Sequence, residues 1–297
     1  MKPFDDIVRL ERAVVLDRPA AAVRGVVQRL LRNRTLKDAL HGVWLGHPLH
    51  PALAQIALGS FTSAALIDAV GGRRRESSGL IAVGLASTVP TVAAGWADWA
   101  DSHEEQQRVG LVHAAVNATA VACFTAALLR RRGDRGTGRS LSLLGGTLSV
   151  LAAALGGHLS YRQATGANHG EEVPHVGPGD WQPLGPLAEF PLDQPVRRLA
   201  GTVPVFVLRR ADSSDVSSVT VFSDRCPHLS GPLHEGELSE VDGEMCITCP
   251  WHASVFRLRD GAVVHGPATA PVPGFESRVE SGMVAVRVRT PPGVSAS

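Results

Sequence analysis

The chain has 297 residues, with 29 Lys and Arg against 28 Asp and Glu and a formal net charge of +1. That length accommodates two domains, and so even a balance excludes a bulk electrostatic partner such as nucleic acid. The mean hydropathy of +0.06 averages an apolar half and an ordinary polar half.

Residues 1–42 read as an amphipathic lead-in. Between Ala20 and Leu40, the residues Val23, Val26, Val27, Leu30, Leu31, Leu36 and Leu40 alternate with Arg24, Arg29, Arg32, Arg34 and Lys37. The pattern predicts one helix lying on a membrane surface. The first 20 residues carry no apolar core of a cleavable leader.

Four apolar stretches follow, at 51–70, 79–98, 110–129 and 141–160, each near the ~20 residues that a bilayer crossing needs. They are rich in Gly, Ala, Ser and Thr, which let helices pack closely in lipid. Short charged connections make residues 43–162 a predicted four-helix transmembrane bundle of alternating direction. The letters show no internal repeat.

Alternation gathers Trp44, Trp96, Trp99 and Tyr161 at one end, with His47, His50, His103, His113, His158, Asp98 and Asp101. Aromatic residues favour the membrane interface. Arg73–Arg75 and Arg130–Arg132 lie at the other end. Intramembrane histidines are candidates for function. His50, His113 and His158 could serve as axial ligands of a haem b or contact a quinone, or be interfacial residues satisfied by water and backbone. Asn117 shares a helix face with His113. No C-x-x-C-H occurs, which excludes c-type haem attachment.

Residues 163–180 read as a Gly-rich linker, 181–290 as an all-β domain, and 291–297 as a disordered tail. The runs Val203–Arg209, Val219–Ser223, Glu244–Thr248, Val255–Leu258, Ala262–His265 and Met283–Val288 predict strands, with turns at Asp242-Gly243, Asp260-Gly261 and Ser281-Gly282.

Of four cysteines, Cys123 lies in an apolar helix and reads as a small buried hydrophobe. Cys226, Cys246 and Cys249 cluster in the β domain. The segments CPHLSGPLHEG (226–236) and CPWHASVF (249–256) contain C-x-H and C-x-x-H. Thiolates with imidazoles suit iron–sulfur or zinc. Zinc sites pair Cys with Cys and His with His rather than mixing both in each box, which disfavours a Cys₂His₂ zinc centre. Cys246 reads as a strand cysteine, and His234 and His265 as surface or hairpin residues rather than ligands.

From about 180 to 290 the chain resembles the Rieske [2Fe–2S] family, above all its bacterial ferredoxin-like members. The resemblance rests on both boxes, the F-x-L-x-D-G hairpin (Phe256–Gly261) and GPAT-x-P (266–271). It implies a [2Fe–2S] cluster with one iron on Cys226 and Cys249 and the other on His228 and His252, and hence one-electron transfer. Respiratory members carry a further cysteine in each box, joined in a disulfide; here Gly231 and Trp251 stand there. Their Tyr beside the cluster is Phe256, and Ser254 remains as a hydrogen-bond donor. Fewer donors imply a lower reduction potential.

The helical half, over about 40–165, resembles a bacterial membrane-domain family of unknown function through LGHPLHP (45–51), GWADW (95–99), GLVHAAVN (110–117) and GGHLSYR (156–162). The combined expectation is a membrane-anchored Rieske protein that exchanges electrons with a redox partner protein. It would sit in a bacterial plasma membrane with its Rieske domain in the cytoplasm, since no twin-arginine export signal and no bracing disulfide are seen. The alternative is a haem- or quinone-linked membrane oxidoreductase. A ring-hydroxylating oxygenase is not expected, because only the short tail follows the Rieske unit.

Overall fold

The computed structural model describes residues 5–131, 135–210 and 219–289. The tail and Arg132 lie outside these. The chain divides into a helical unit, running to Gly42 and then over Pro48–Gly166, and a β-rich unit formed by Val43–His47 and the chain from Ala167 onward.

The lead-in is three helices rather than one: α1 (Asp5–Glu11), α2 (Asp17–Leu30) and α3 (Arg34–His41). The expected helix over 20–40 breaks at Asn33, which takes an extended backbone and accepts the Leu36 N–H on its side chain at 2.9 Å. Asn caps helices better than it continues them. The lead-in also packs on the long helices. Ala20 and Val27 of α2 are buried with Trp99 and Ala100. Arg108 holds Asp17 at 2.6 Å and the Glu11 carbonyl at 2.7 Å.

At the end of α3, His41 is 1 % exposed. Its Nδ1 lies 2.8 Å from Asp98 Oδ1 and its Nε2 3.2 Å from Asp101 Oδ2, while Lys37 pairs with Asp101 at 2.6 Å. Burial opposes the imidazolium charge, but Asp101 and Asp98 outweigh it and push the His41 pKa from 6.5 up to about 9. A raised folded-state pKa stabilises the fold fully below pH 6.5 and ceases to do so as pH passes 9. Thermal unfolding of the helical unit is therefore expected to lose on the order of 2–3 kcal/mol between these pH values. The His41→Gln protein should show a flat profile over the same range; an equally steep one would place the titration elsewhere.

Four long helices follow: α4 (Leu49–Ala69), α5 (Arg74–Ala100), α6 (Glu104–Arg130) and α7 (Arg135–Tyr161). Each is long and apolar enough to cross a bilayer, and at most 33% of its apolar window is buried within the protein. Leu66, Val89, Leu129 and Val150 point outward and are at least 60% exposed. A soluble bundle hides such residues in its interior; here the apolar side faces out, as lipid solvation requires. α4 and α6 each pack on α5 and α7, so α4 and α6 are diagonal partners. Phe61 and Phe124 stack across that diagonal, centroids 4.2 Å apart and planes 8° apart. Gly84 and Gly145 leave room for these rings: a Cβ on either would fall within 2.6 and 2.9 Å of them. At the arginine-rich end, the buried Arg131 forms an ion pair with Asp68 and bonds Ser77 Oγ at 2.9 Å and Ser78 Oγ at 3.1 Å.

In the β-rich unit a short helix α8 (Val173–Val176) precedes, among the described residues, ten strands: β1 (Gln182–Pro186), β2 (Val196–Ala200), β3 (Val203–Arg209), β4 (Val219–Ser223), β5 (Glu237–Val241), β6 (Glu244–Thr248), β7 (Val255–Arg257), β8 (Val263–His265), β9 (Phe275–Glu280) and β10 (Met283–Val288). They form antiparallel sheets ordered β1-β10-β9, β2-β3-β4 and β5-β6-β7-β8. The sequence reading missed β1, β2, β5 and β9, whose prolines and charges interrupt any β-branched run. Part of the expected linker is docked on this unit. Val173 joins its core, His169 N–H donates to the Pro227 carbonyl at 2.9 Å, and Glu172 pairs with Arg225 at 2.9 Å.

Candidate metal centre

Two six-residue loops carry the predicted ligands, Cys226–Gly231 after β4 and Cys249–Ser254 between β6 and β7. Their backbones are alike. In the first, Cys226 N–H donates to the Gly231 carbonyl at 2.9 Å and Ser230 N–H to the Cys226 carbonyl at 2.8 Å. In the second, Cys249 N–H donates to the Ser254 carbonyl at 2.8 Å and Ala253 N–H to the Cys249 carbonyl at 3.1 Å. Each turn closes on a residue in the left-handed region, Ser230 at φ 62° and Ala253 at φ 58°. Non-glycine residues held there cost about 1–3 kcal/mol and concentrate at functional sites.

The fold sorts the four side chains by chemistry. Cys226 and Cys249 are buried, and their sulfurs are hydrogen-bonded to each other. The His228 and His252 rings meet edge to face, centroids 5.0 Å apart and planes 85° apart. So thiol meets thiol and imidazole meets imidazole, although each loop supplies one of each. Among the described residues no group of three or more His, Cys, Asp or Glu is arranged to hold a single metal ion. The bond from Cys226 draws Cys249 down to about 7 and raises Cys226. A thiol pair that readily releases a proton suits metal ligation.

Donors surround the sulfurs. The backbone N–H groups of His228 and Leu229 reach Cys226, and those of Trp251 and His252 reach Cys249. The sequence reading, which counted only side chains, missed these amides. Nothing in the letters announces them, because they arise from the loop backbone. Ser254 is fully buried, and its Oγ accepts the Ala268 N–H at 2.9 Å, which leaves its own O–H to donate. Phe256 lies in the core shared with both cysteines. Asp224 braces the first loop, accepting His234 N–H and His234 Nδ1, each at 2.8 Å. His234 is thus a support residue. Cys246 is a buried strand residue whose Sγ contacts the Glu244 carbonyl.

Gly231 lies directly over the site. A Cβ there would sit 2.7 Å from Cys249 Sγ and 3.3 Å from the Trp251 ring. Trp251 is 49 % exposed beside it. The resemblance places the bracing cysteines at these two positions, and the close approach of loop to sulfur is made here by a missing side chain.

The three membrane histidines have separate partners. His50 Nδ1 lies 2.9 Å from the Thr91 carbonyl, and His113 Nδ1 2.9 Å from the Ala152 carbonyl. His158 Nε2 lies 2.6 Å from Glu11 Oε1, in the lead-in.

The Rieske [2Fe-2S] domain family matches residues 180–276. The anthranilate 1,2-dioxygenase ferredoxin subunit of Burkholderia cepacia is 36% identical over 109 residues, 37% of this chain and 93% of that protein. The chain belongs to the Rieske family. A second relative of its Rieske domain, the 3-phenylpropionate/cinnamic acid dioxygenase ferredoxin subunit of Escherichia coli, is 30% identical over 97 residues, 33% of this chain and 83% of that protein. The solved ferredoxin of carbazole 1,9a-dioxygenase from Nocardioides aromaticivorans aligns at 25% identity over 37% of this chain and 98% of its own, with a TM-score of 0.32. Residues 46–169 match the family described as a predicted membrane protein, DUF2231. This Rieske protein therefore joins an electron-transfer domain to membrane helices in one chain. None of these similarities bears on haem b.

Proposed function

We propose that this protein is a membrane-anchored one-electron carrier in which Cys226 and Cys249 hold one iron of the Rieske cluster and His228 and His252 the other. The carrying observation is the sorting of donors into a thiol pair and an imidazole pair. A bound [2Fe–2S] cluster supplies reversible one-electron redox chemistry. The chain's own groups set its properties. The buried cysteines exclude water from the sulfur side. The amides and the Ser254 hydroxyl favour the reduced, more negative state. The half-buried His228 and His252 reach the surface, where ring protonation can follow electron uptake.

The similar proteins are dioxygenase ferredoxin subunits, which supports a partner of the oxygenase or reductase class. The four apolar helices support a multi-pass place in a bacterial plasma membrane. Gly231 and Trp251 at the positions of the bracing disulfide support a reducing, cytoplasmic side for the Rieske domain. Anaerobically purified full-length protein is expected to contain iron and acid-labile sulfide in equal amounts and to show a Rieske-type EPR signal on reduction. The Cys249→Ser protein should lose both. Stoichiometric zinc in a colourless, EPR-silent preparation would refute the assignment.

Ser254 allows a finer test. Removing one hydrogen bond of about 1 kcal/mol to the reduced cluster corresponds to about 40–60 mV at one electron. The Ser254→Ala protein should therefore have a potential lower by that amount, read by EPR redox titration. It should also be destabilised by about 1–3 kcal/mol, since Ala268 N–H loses its acceptor. An unchanged potential would show that the hydroxyl does not face the cluster.

A further inference from the structure

The four long helices are two copies of one hairpin. A shift of 63 residues carries His50, Phe61, Ala64 and Asp68 of α4 onto His113, Phe124, Ala127 and Arg131 of α6. A shift of 61 carries Ser77, Gly84, Thr91 and Gly95 of α5 onto Gly138, Gly145, Ala152 and Gly156 of α7. The contacts repeat with the positions. Phe61 rests on Gly84 as Phe124 rests on Gly145. Ser77 Oγ meets the Ala64 carbonyl at 3.2 Å, and a Cβ at Gly138 would meet the Ala127 carbonyl at 3.2 Å. The His50 ring lies on Gly95 and bonds the Thr91 carbonyl, and the His113 ring lies on Gly156 and bonds the Ala152 carbonyl. This is the repeat that the letters concealed. Alternating direction makes α4 and α6 parallel, so the copies are related by a pseudo-twofold axis along the bundle.

The axis carries three layers. On α4, His50, Phe61 and Asp68 lie 11 and 18 residues apart, about three and five turns, and so share one face; α6 repeats the spacing. Phe61 and Phe124 meet across the axis, and so do Asp68 and Arg131. His50 and His113 form the third layer, near enough for their charges to interact. Each of these rings is tied at Nδ1 to a main-chain carbonyl of its own hairpin. A carbonyl only accepts, so Nδ1 carries the proton and Nε2 the lone pair. At His113 that lone pair faces Asn117 Nδ2 at 3.1 Å. Asn117 also donates to the His113 carbonyl at 3.0 Å and keeps that partner if Nε2 turns elsewhere. Orientation of an imidazole by a carbonyl on its far nitrogen is the usual support of a metal-ligating histidine.

Two imidazoles, with no third protein donor converging among the described residues, leave a bare zinc or copper ion short of ligands. An iron porphyrin brings four nitrogens and needs two axial ligands. Gly95 and Gly156 seat the two rings closely against α5 and α7, where a Cβ would fall 2.7 and 3.2 Å from them. We propose that His50 and His113 are the axial ligands of one b-type haem on the pseudo-twofold axis. His158, committed to Glu11, is not a ligand. The proposal stands independently of the Rieske assignment.

Full-length protein, expressed with added 5-aminolevulinate and purified in detergent, tests it. A pyridine haemochromogen assay is expected to give one haem per chain, with a low-spin ferric EPR signal in the oxidised sample. His50→Ala and His113→Ala should each lower haem content at least about tenfold, and added imidazole should restore the low-spin spectrum. His158→Ala should keep its haem. The proposal is overturned if hemin titration gives no binding, if both axial variants retain haem, if imidazole restores nothing, or if His158→Ala loses haem as completely. A [2Fe–2S] cluster is EPR-active when reduced and low-spin haem when oxidised, so the two assignments fail separately.

Discussion

A Gly231→Ala protein is expected to assemble little or no cluster while its β domain stays folded. The added Cβ would lie 2.7 Å from Cys249 Sγ, well inside a carbon–sulfur contact. Neither loop yields easily. Gly231 O is held by Cys226 N–H at 2.9 Å, and Cys249 N–H by Ser254 O at 2.8 Å. Overpacking of this kind costs about 1–3 kcal/mol, and the cost falls on the position of a ligand sulfur. Iron and sulfide content should fall about tenfold or more, since each 1.4 kcal/mol is a factor of ten. Cooperative thermal unfolding of the Rieske domain should persist and show the defect to be local. Full cluster content with an unshifted EPR signal in this variant would mean that Cys249 Sγ does not take part.

The second large effect is expected in the membrane domain. Arg131→Met removes the buried partner of Asp68 and strips Ser77 and Ser78 of a donor. Breaking a buried ion pair from one side costs about 3–5 kcal/mol, because the remaining charge has neither water nor a counter-ion. Replacing both members, Asp68→Leu with Arg131→Met, should recover most of that loss, since apolar pairs of similar volume often match buried ion pairs. Thermal unfolding in detergent of the single and double variants decides the point. A single variant as stable as the parent would show that water reaches the pair.

Much of this protein was legible in its letters. C-x-H and C-x-x-H, with the Phe256–Gly261 hairpin and the 266–271 segment beside them, carried the resemblance to the Rieske family, and that family matches residues 180–276. Span length and apolarity are additive along the chain, so the four membrane helices could be counted. β3, β4, β6 and β10 stood out because Val-rich, β-branched runs favour the pleated surface. The single helix expected over 20–40 is instead two, because one capping residue, Asn33, interrupts a long amphipathic pattern.

Tertiary structure alone decided the rest. It brought the two cysteines together and the two histidines together, aimed four backbone amides at the sulfurs, and placed Gly231 where a Cβ would press on Cys249 Sγ. It also revealed the two equivalent hairpins, in which contacts such as Phe61 on Gly84 and Phe124 on Gly145 are kept while most surrounding letters differ. The physical reason is common to all of these. Residue type fixes what a group can bind, whereas distance between chain-remote groups depends on how backbones pack, and close approach is often achieved by the absence of a side chain, which a sequence records only as glycine.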